Sequence, residues 1–430
     1  LVNMEILTQN RLKGFGDEEN IEVSPIDKLR RSMSKSYLSQ TQGSVESLAD
    51  MIDGLPTIIF DIGAYCSKIG LSGLEKPEYI FPTIIGTSKL VGKTSVDLTQ
   101  KYGTDAYKNL PNMSISFPLE CPVDIDWDEF TDIIVEILPL INQKEGSEEK
   151  MNELSDFDYS IYPFIFTERV NNSKKNREKL YEIAFEALEL PKMCIKDQSF
   201  CSLISEGMTT GLVLDCGETS TSVVPIFDSR ILTNASKSML VGGRTLNYFM
   251  MELLRSKYSF HTSYDREYAR FLKEELCHIS PSQSDYSQVW LGNTKTYKMP
   301  DKTCINVGVE QQLCPEALFN TALVELDGES VQHLVLGAIS SLDSSIRNKV
   351  GSNTVVVGGT SLIQGFQQRL YKEVNTLSKN FKYHKMDIDK RQISQWIGAS
   401  VLANMDEGRD SMISDHEYFE KGPGRLSRET

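Results

Sequence analysis

Two aspartates lie in sequence contexts that suit the binding of a phosphate chain and a divalent cation. Asp61 and Asp215 each end a short aliphatic or β-branched run, and a glycine follows two residues later, Gly63 or Gly217. The pattern predicts a strand that enters a tight hairpin, where glycine lets backbone N–H groups face an anion. Two such carboxylates on opposite sides of a cleft would hold hydrated Mg²⁺ against a polyphosphate.

A single Asp-x-Gly turn is ordinary in proteins, so the argument depends on repetition. The two hairpins are well separated along the chain, which predicts a duplicated unit and therefore two similar lobes around a cleft. A third glycine turn, Gly358-Gly359-Thr360, follows another β-branched run. Three such turns favour a nucleotide clamp over three unrelated surface turns.

Strand-like and helix-like segments alternate around these turns, which predicts an α/β fold. Apolar residues at helical spacing predict helices over 127–138, 175–188, 246–257, 266–277 and 364–374. Residues 142–157 are charged and predict a surface loop. Residues 1–55, rich in Ser, Gln and mixed charge, predict an extension that is either flexible or docks a partner.

Composition narrows the class of protein. The 430 residues carry a formal net charge of −15, which argues against a nucleic-acid backbone as the main partner. The eight cysteines form no C-x-x-C pair and the chain has five histidines, so a zinc site is not expected. Since no apolar run reaches about 18 residues and no signal peptide is evident, we expect a soluble intracellular protein without a membrane partner.

A series of motifs in this sequence resembles the actin family, from about residue 57 to about residue 423. The motifs that carry the resemblance are, in chain order, Asp61-Ile-Gly, Ile80-Phe-Pro-Thr-Ile-Ile-Gly, Asn176-Arg-Glu-Lys, Thr209-Thr-Gly-Leu-Val-Leu-Asp-Cys-Gly, Gly243-Arg-x-Leu, Asp265-Arg-Glu, Lys273-Glu-x-Leu-Cys, Cys314-Pro-Glu-Ala-Leu-Phe, Val357-Gly-Gly-Thr-Ser-Leu, Trp396-Ile-Gly-Ala-Ser and Glu417-Tyr. Sugar kinases and chaperone ATPases share the lobed fold but lack the Cys-Pro-Glu-Ala-Leu-Phe and Trp-Ile-Gly motifs. The order and number of the matches make the resemblance specific.

The resemblance implies a two-lobed actin-like ATPase fold, with duplicated α/β domains around a nucleotide cleft. The implied divisions are an extension at 1–55, an outer lobe at 56–205 plus 394–430 with a small subdomain at 83–116, and an inner lobe at 206–393 with a subdomain at 242–326. The implied ligands are ATP or ADP with Mg²⁺ or Ca²⁺.

The resemblance also assigns roles to residues of this chain. Asp61 and Asp215 would order the waters of the divalent cation, Lys68 would contact the β- and γ-phosphates, and Gln198 would position the attacking water. Gln198 and Asp215 are therefore the implied catalytic residues. The other implied nucleotide-binding residues are Gly63, Gly217, Gly243, Arg270, Lys273, Glu274, Gly358, Gly359 and Thr360. Glu274 would face the ribose.

Several positions depart from the family pattern at the phosphate site. Ala64 and Tyr65 replace a hydroxyl residue and a glycine in the first hairpin, and Glu218 and Thr219 replace Asp-Gly in the second. Ser222 replaces a histidine near the attacking water. Because loss of one preorganised group can lower a rate by about 10²–10³, we predict nucleotide binding with slow or absent hydrolysis.

Surface positions indicate how the protein meets partners. The residues that match the family's partner-helix cleft are Ile204, Thr209, Leu402 and Met405, although the same residues could be core residues. Glu325 puts a carboxylate in the loop that is apolar in the family, and the loop at 87–101 has different chemistry. An unpaired carboxylate is costly in an apolar interface, so long filaments are not expected.

These features predict a divergent actin-related protein that serves as a structural subunit of a larger assembly. The assembly would be cytoskeletal, axonemal or chromatin-remodelling, with protein subunits that include actin or actin-related proteins as partners. Cytoplasm and cytoskeleton are the expected location, with the nucleus as the alternative. Two other functions remain open, namely a filament-forming actin-like ATPase and a small-molecule kinase of the same superfamily.

Overall fold

A computed structural model describes residues 52, 54–88, 99–120, 125–141, 158–262, 264–281, 294–299, 302–377 and 381–429. Nearly all of the predicted extension at 1–55, the whole predicted loop at 142–157 and most of the loop at 87–101 lie outside the described residues.

The described residues form strands and helices that alternate along the chain. The strands are β1 (Ile58–Asp61), β2 (Cys66–Leu71), β3 (Tyr79–Pro82), β4 (Ile85–Ser88), β5 (Gln100–Tyr102), β6 (Met113–Ser116), β7 (Phe164–Glu168), β8 (Lys192–Asp197), β9 (Gly211–Cys216), β10 (Thr221–Phe227), β11 (Arg230–Ile231), β12 (Lys237–Met239), β13 (Lys295–Lys298), β14 (Cys304–Val307), β15 (Thr354–Val357) and β16 (Ile413–Ser414). The helices are α1 (Gly103–Lys108), α2 (Trp127–Ile137), α3 (Lys174–Glu182), α4 (Gln198–Ile204), α5 (Gly243–Leu254), α6 (Asp265–Leu276), α7 (Glu310–Glu316), α8 (Val331–Ser340), α9 (Ser344–Gly351), α10 (Phe366–Leu377), α11 (Ile388–Arg391), α12 (Ser394–Ala403), α13 (Asp406–Asp410), α14 (Asp415–Lys421) and α15 (Pro423–Glu429).

The first sheet has six strands in the order β16-β8-β7-β1-β2-β3. Strand β1 is central and buried along its whole length, which explains the apolar run Ile58-Ile59-Phe60 that precedes Asp61. Successive side chains of a strand point to opposite faces. Accordingly Ile58 and Phe60 pack with helix α2, whereas Ile59 packs on the other face with Cys201 and Trp396 of α4 and α12.

The second sheet repeats the arrangement of the first. Strand β9 pairs antiparallel with β10 and parallel with β15, just as β1 pairs antiparallel with β2 and parallel with β7. Its side chains also alternate between two packed faces, with Leu212 and Leu214 in one core cluster and Val213 in another. The predicted two-lobed α/β fold with a duplicated hairpin unit is confirmed.

Two smaller sheets lie in the segments predicted as subdomains. Strands β5, β4 and β6 form one sheet within 83–116, and β13 pairs with β14 within 242–326. Near the C-terminus, β16 returns to the first sheet and pairs with β8. The exact lobe boundaries stay predictions. Among the helices that the structure describes, none combines the length and the apolar character needed to cross a bilayer.

Candidate functional site

A cavity of about 790 Å³ lies between the β1–β2 and β9–β10 hairpins. Of the residues predicted to bind nucleotide or catalyse hydrolysis, those that line the cavity are Asp61, Gly63, Lys68, Gln198, Asp215, Gly217, Arg270, Lys273, Glu274, Gly358, Gly359 and Thr360. Residues that are far apart in sequence are therefore brought to one place. The cavity volume falls within the range typical of small-molecule sites.

Asp61 is the centre of a hydrogen-bonded cluster in the first sheet. The register of the hairpin puts Asp61 directly opposite Lys68, and Lys68 Nζ lies 2.9 Å from Asp61 Oδ2. The other carboxylate oxygen accepts hydrogen bonds from Thr167 Oγ1 at 2.6 Å and from Gln198 Nε2 at 3.1 Å. Because Asp61 is only 1% exposed, these partners compensate a buried charge and fix the carboxylate in place.

The ammonium group of Lys68 stays charged in this environment. Burial alone would lower its pKa, but the adjacent Asp61 carboxylate outweighs burial and the pKa lies above the ordinary value. A fixed positive charge therefore faces the cavity beside the first hairpin, as phosphate binding requires.

Asp215 occupies the equivalent position in the second sheet. It lies opposite Ser222 in the β9–β10 hairpin and beside Val357 of β15. Burial raises the pKa of Asp215 to about 6, while the charge of Lys68 acts in the opposite direction. A divalent cation in the cavity would favour the ionised carboxylate in the same way that Lys68 does.

The third turn packs tightly against the second hairpin. Gly358 has a φ of +87°, and a Cβ atom there would lie 2.3 Å from the Cys216 carbonyl oxygen and 2.4 Å from Asp215 Oδ1. Only glycine fits this conformation and this space. The turn therefore approaches Asp215 through its backbone, without a side chain between them.

Gly243 is the one predicted nucleotide-binding residue that does not line the cavity. It begins helix α5 behind the second hairpin, where its N–H donates to the Gly217 carbonyl oxygen at 2.9 Å. Thr360 Oγ1 donates to the same oxygen at 2.8 Å, and Lys273 Nζ donates to the Gly243 carbonyl oxygen at 3.1 Å. Gly243 thus supports the turn through its backbone, and its predicted contact with nucleotide stays a prediction.

Five residues form a cluster that we call the cross-cleft cluster, which joins the first hairpin and helix α1 to helix α6. Its members are Tyr65, Tyr107, Glu267, Arg270 and Glu274. Arg270 donates to Glu267 Oε2 at 2.9 Å, to Glu274 Oε2 at 2.7 Å and to the Tyr107 hydroxyl at 2.6 Å. The Tyr65 hydroxyl also donates to Glu267 Oε2, at 3.1 Å, and its ring lies 4.5 Å from the guanidinium carbon.

The cluster explains how a tyrosine is accommodated in the first hairpin. Its side chain crosses to the opposite lobe, and burial raises the pKa of Tyr65, with the charge of Glu267 acting in the same direction. The hydroxyl therefore remains a donor to the carboxylate. Arg270 and Glu274 both line the cavity, and Arg270 also contacts Tyr107 and Tyr65 across it.

Sequence reasoning missed two residues at the site. Thr167, at the end of β7, hydrogen-bonds to Asp61 and accepts from Gln198 at 3.2 Å. The next residue but one, Arg169, lines the cavity and donates from Nη1 to Thr219 Oγ1 at 2.6 Å. Strand β7 runs parallel to β1, so the carboxyl ends of both strands meet at one edge of the sheet. Ligands of α/β proteins bind at the carboxyl ends of the strands, and this rule is the signal that identifies the edge as a ligand site.

The predicted partner cleft is only partly available for binding. Thr209 and Met405 are exposed and Ile204 is partly buried. Leu402 is 3% exposed and belongs to the core cluster of helices α4 and α12. The core interpretation is therefore correct for Leu402, because a partner cannot reach its side chain.

The residues of the cavity fit a hydrated divalent cation better than a cation held directly by the protein. Within the described residues no three His, Cys, Asp or Glu side chains converge on a point. Asp61, which is buried, and Asp215, which is half-buried, instead supply one carboxylate from each hairpin, which suits a cation that keeps its waters and binds phosphate oxygens. Lys68 would face the phosphates, and Lys273 and Glu274 would line the adenosine side, with Glu274 at the more exposed end.

The comparison with known families agrees with this geometry. The sequence model of the family described as Actin matches residues 52–430, which is most of the chain. Proteins of this family generally bind adenine nucleotide together with a divalent cation. Membership of one family explains the paired hairpins, the two aspartates and the sequence match together. This chain belongs to the actin family.

Proposed function

We propose that this chain is a divergent actin-related protein that binds ATP or ADP with Mg²⁺ or Ca²⁺ and serves mainly as a structural subunit of a larger assembly. The observation that carries the proposal is the cavity between the two hairpins, with one aspartate on each side, Asp61 buried and Asp215 half-buried. A ligand that contacts both lobes and binds only the folded chain stabilises it by mass action, without any catalysis. Nucleotide would therefore hold the lobes together.

Slow or absent hydrolysis is the second part of the proposal. Gln198 Nε2, the group expected to direct an attacking water, donates to the Ile62 carbonyl oxygen at 2.8 Å as well as to Asp61. The N–H groups of this amide are therefore already engaged by the protein, and a water would have to be held through its carbonyl oxygen. Ala64 offers no hydroxyl to the γ-phosphate, and Ser222 offers no imidazole. Fewer preorganised groups face the reacting atoms, so the barrier stays high.

Assembly into a discrete particle is the third part. Glu325, in the loop that is apolar in the family, is exposed in the single chain, and burying its unpaired carboxylate against an apolar surface of a second copy would be costly. Partners would be protein subunits, including actin or actin-related proteins. Cytoplasm and cytoskeleton are the proposed location, with the nucleus as the alternative.

Two assays test the proposal. The first measures phosphate release from Mg-ATP with polymerising actin run in parallel, and the expected rate is at least about 100-fold lower than that of the actin. The second measures the native mass of the endogenous protein in a gentle cell extract and identifies co-migrating proteins. A discrete large particle with fixed partners is expected. Pelletable polymer that grows when Mg-ATP is added would instead make the chain a filament-forming ATPase.

A further inference from the structure

Arg169 crosses the cavity from the first sheet to the second. It directly follows strand β7, and its Nη1 donates to Thr219 Oγ1 at 2.6 Å and to Ser220 Oγ at 3.1 Å. Both acceptors belong to the turn between β9 and β10, whose backbone is expected to cradle a phosphate. The guanidinium is therefore held at the turn of the second hairpin, on the wall of the cavity.

The surroundings place Arg169 at the end of the cavity where bond cleavage would occur. Thr167, two residues earlier on the same strand, holds both Asp61 and Gln198. Asp215 lies at the other end of the hairpin turn that Arg169 contacts. A nucleotide bound with its phosphates between the hairpins and its adenosine near Glu274 would bring its terminal phosphate towards this region.

The same turn also carries a negative charge that would repel a bound phosphate. Glu218 precedes Thr219, lines the cavity and has a buried Oε1 atom without a hydrogen-bond partner among the described residues. A second anion beside this carboxylate is unfavourable unless a cation lies close by. Arg169 supplies that cation on the very turn that carries Glu218.

We propose that Arg169 binds the terminal phosphate of a nucleoside triphosphate and makes this site prefer a triphosphate to a diphosphate. The inference rests on the proposed nucleotide-binding function. A guanidinium forms shorter and stronger hydrogen bonds to charged phosphate oxygens than to neutral hydroxyls. When a triphosphate binds, Arg169 exchanges the Thr219 and Ser220 hydroxyls for phosphate oxygens. When a diphosphate binds, it keeps the hydroxyls.

The test compares the affinities of Mg-ATP and Mg-ADP by calorimetry on the full chain. The expected result is tighter binding of Mg-ATP by the wild-type protein. Arg169→Gln should lose at least about tenfold in affinity for Mg-ATP, with Mg-ADP affinity nearly unchanged. Arg169→Lys, which keeps the charge, should retain part of the preference. Arg255→Gln is the matched control because Arg255 is an exposed arginine that directly follows helix α5, pairs with Glu252 and does not line the cavity.

The outcomes separate this inference from the proposed function. If wild-type protein binds both nucleotides and Arg169→Gln leaves the ratio of the two affinities unchanged, the role of Arg169 is wrong and nucleotide binding stands. A wild-type preference for Mg-ADP that Arg169→Gln relieves would show that the guanidinium excludes the terminal phosphate, and it would overturn the inference too. If wild-type protein binds neither nucleotide, both proposals are wrong. Arg169→Lys guards against a folding defect in Arg169→Gln, since its charge and length are similar.

Discussion

At the scale of single residues, Asp197 shows how burial changes the chemistry of a helix cap. Its Oδ1 accepts hydrogen bonds from the N–H groups of Ser199 at 2.8 Å and Phe200 at 3.0 Å, at the start of helix α4. Burial nevertheless raises the pKa of Asp197 to about 7 in the folded protein, against an ordinary value of 3.8. The folded state therefore binds a proton more tightly than the unfolded state does.

This difference predicts a pH dependence of stability. The stabilising contribution is fully present below pH 3.8, where both the folded and the unfolded state are protonated. It is lost as the pH rises towards about 7, the folded-state pKa. Asp197→Asn keeps a capping oxygen but cannot ionise. The free energy of unfolding of the variant, relative to wild type, should therefore increase between pH 5 and pH 8, as measured by urea titration.

Asp343→Asn is the matched control for this prediction. Asp343 also caps a helix, with Oδ1 accepting from the Ser345 N–H at 2.8 Å, but hydrogen bonds to Ser345 lower its pKa. A carboxylate of this kind loses its contribution only as the pH falls through its low folded-state pKa. The stability difference between Asp343→Asn and wild type should be flat from pH 5 to pH 8. Equal slopes for the two variants would show that burial of Asp197 is not the cause.

At the scale of elements, helix α6 joins the lobes through the cross-cleft cluster. Glu267 is 1% exposed and accepts hydrogen bonds from Arg270 of its own helix and from Tyr65 of the first hairpin. Glu267→Gln removes the negative charge and leaves the buried guanidinium without its only buried counter-ion among the described residues, because Glu274 is half-exposed. Removal of one partner from a buried ion pair costs about 3–5 kcal/mol, so we expect a loss of about 3 kcal/mol in the free energy of unfolding.

The chain supplies a close control for Glu267→Gln. Glu252 of helix α5 and Arg255, which directly follows the helix, have the same three-residue spacing, but both side chains are largely exposed. Solvent screening makes such pairs nearly neutral in stability, so Glu252→Gln should unfold at almost the wild-type urea concentration. Similar losses for both variants would mean that the cluster contributes no more than a surface ion pair.

The elements also show which parts of the structure were predictable from sequence. Helices predicted at 127–138 and 266–277 are observed as Trp127–Ile137 and Asp265–Leu276, because each has a strong apolar face. The helix predicted at 246–257 is observed at Gly243–Leu254, three residues earlier. Its first N–H groups donate to the Gly217 and Glu218 carbonyl oxygens of the second hairpin. That stabilisation comes from a tertiary contact, which local periodicity cannot indicate.

The candidate site was likewise predictable from sequence only in part. Asp61 and Asp215 were predictable because strand, carboxylate and glycine are neighbours in sequence. Arg169 and Thr167 follow an ordinary strand, and their importance arises only when β7 pairs beside β1. The path of the Tyr65 side chain across the cleft likewise could not be predicted from sequence, since it depends on Glu267 of the opposite lobe.

At the scale of the whole molecule, two repeated sheets meet at one cavity, and any ligand there contacts both. A ligand that binds only the folded state adds about 2.7 kcal/mol to the free energy of unfolding at a concentration 100 times its Kd. We therefore expect Mg-ATP to raise the thermal midpoint of the full chain. The effect depends on the third turn, because Gly358 closes against Asp215 and Cys216.

Two glycines with nearly the same φ make this dependence testable. Gly358 and Gly73 have φ values of +87° and +88°, but a Cβ atom at Gly73 meets nothing within 4 Å. Alanine at either position should cost about 1 kcal/mol for the left-handed backbone. Only Gly358→Ala must also displace the turn from Asp215, so only this variant should lose the increase in thermal midpoint caused by Mg-ATP. If Gly358→Ala keeps the full increase, the nucleotide does not bind between the lobes at this turn.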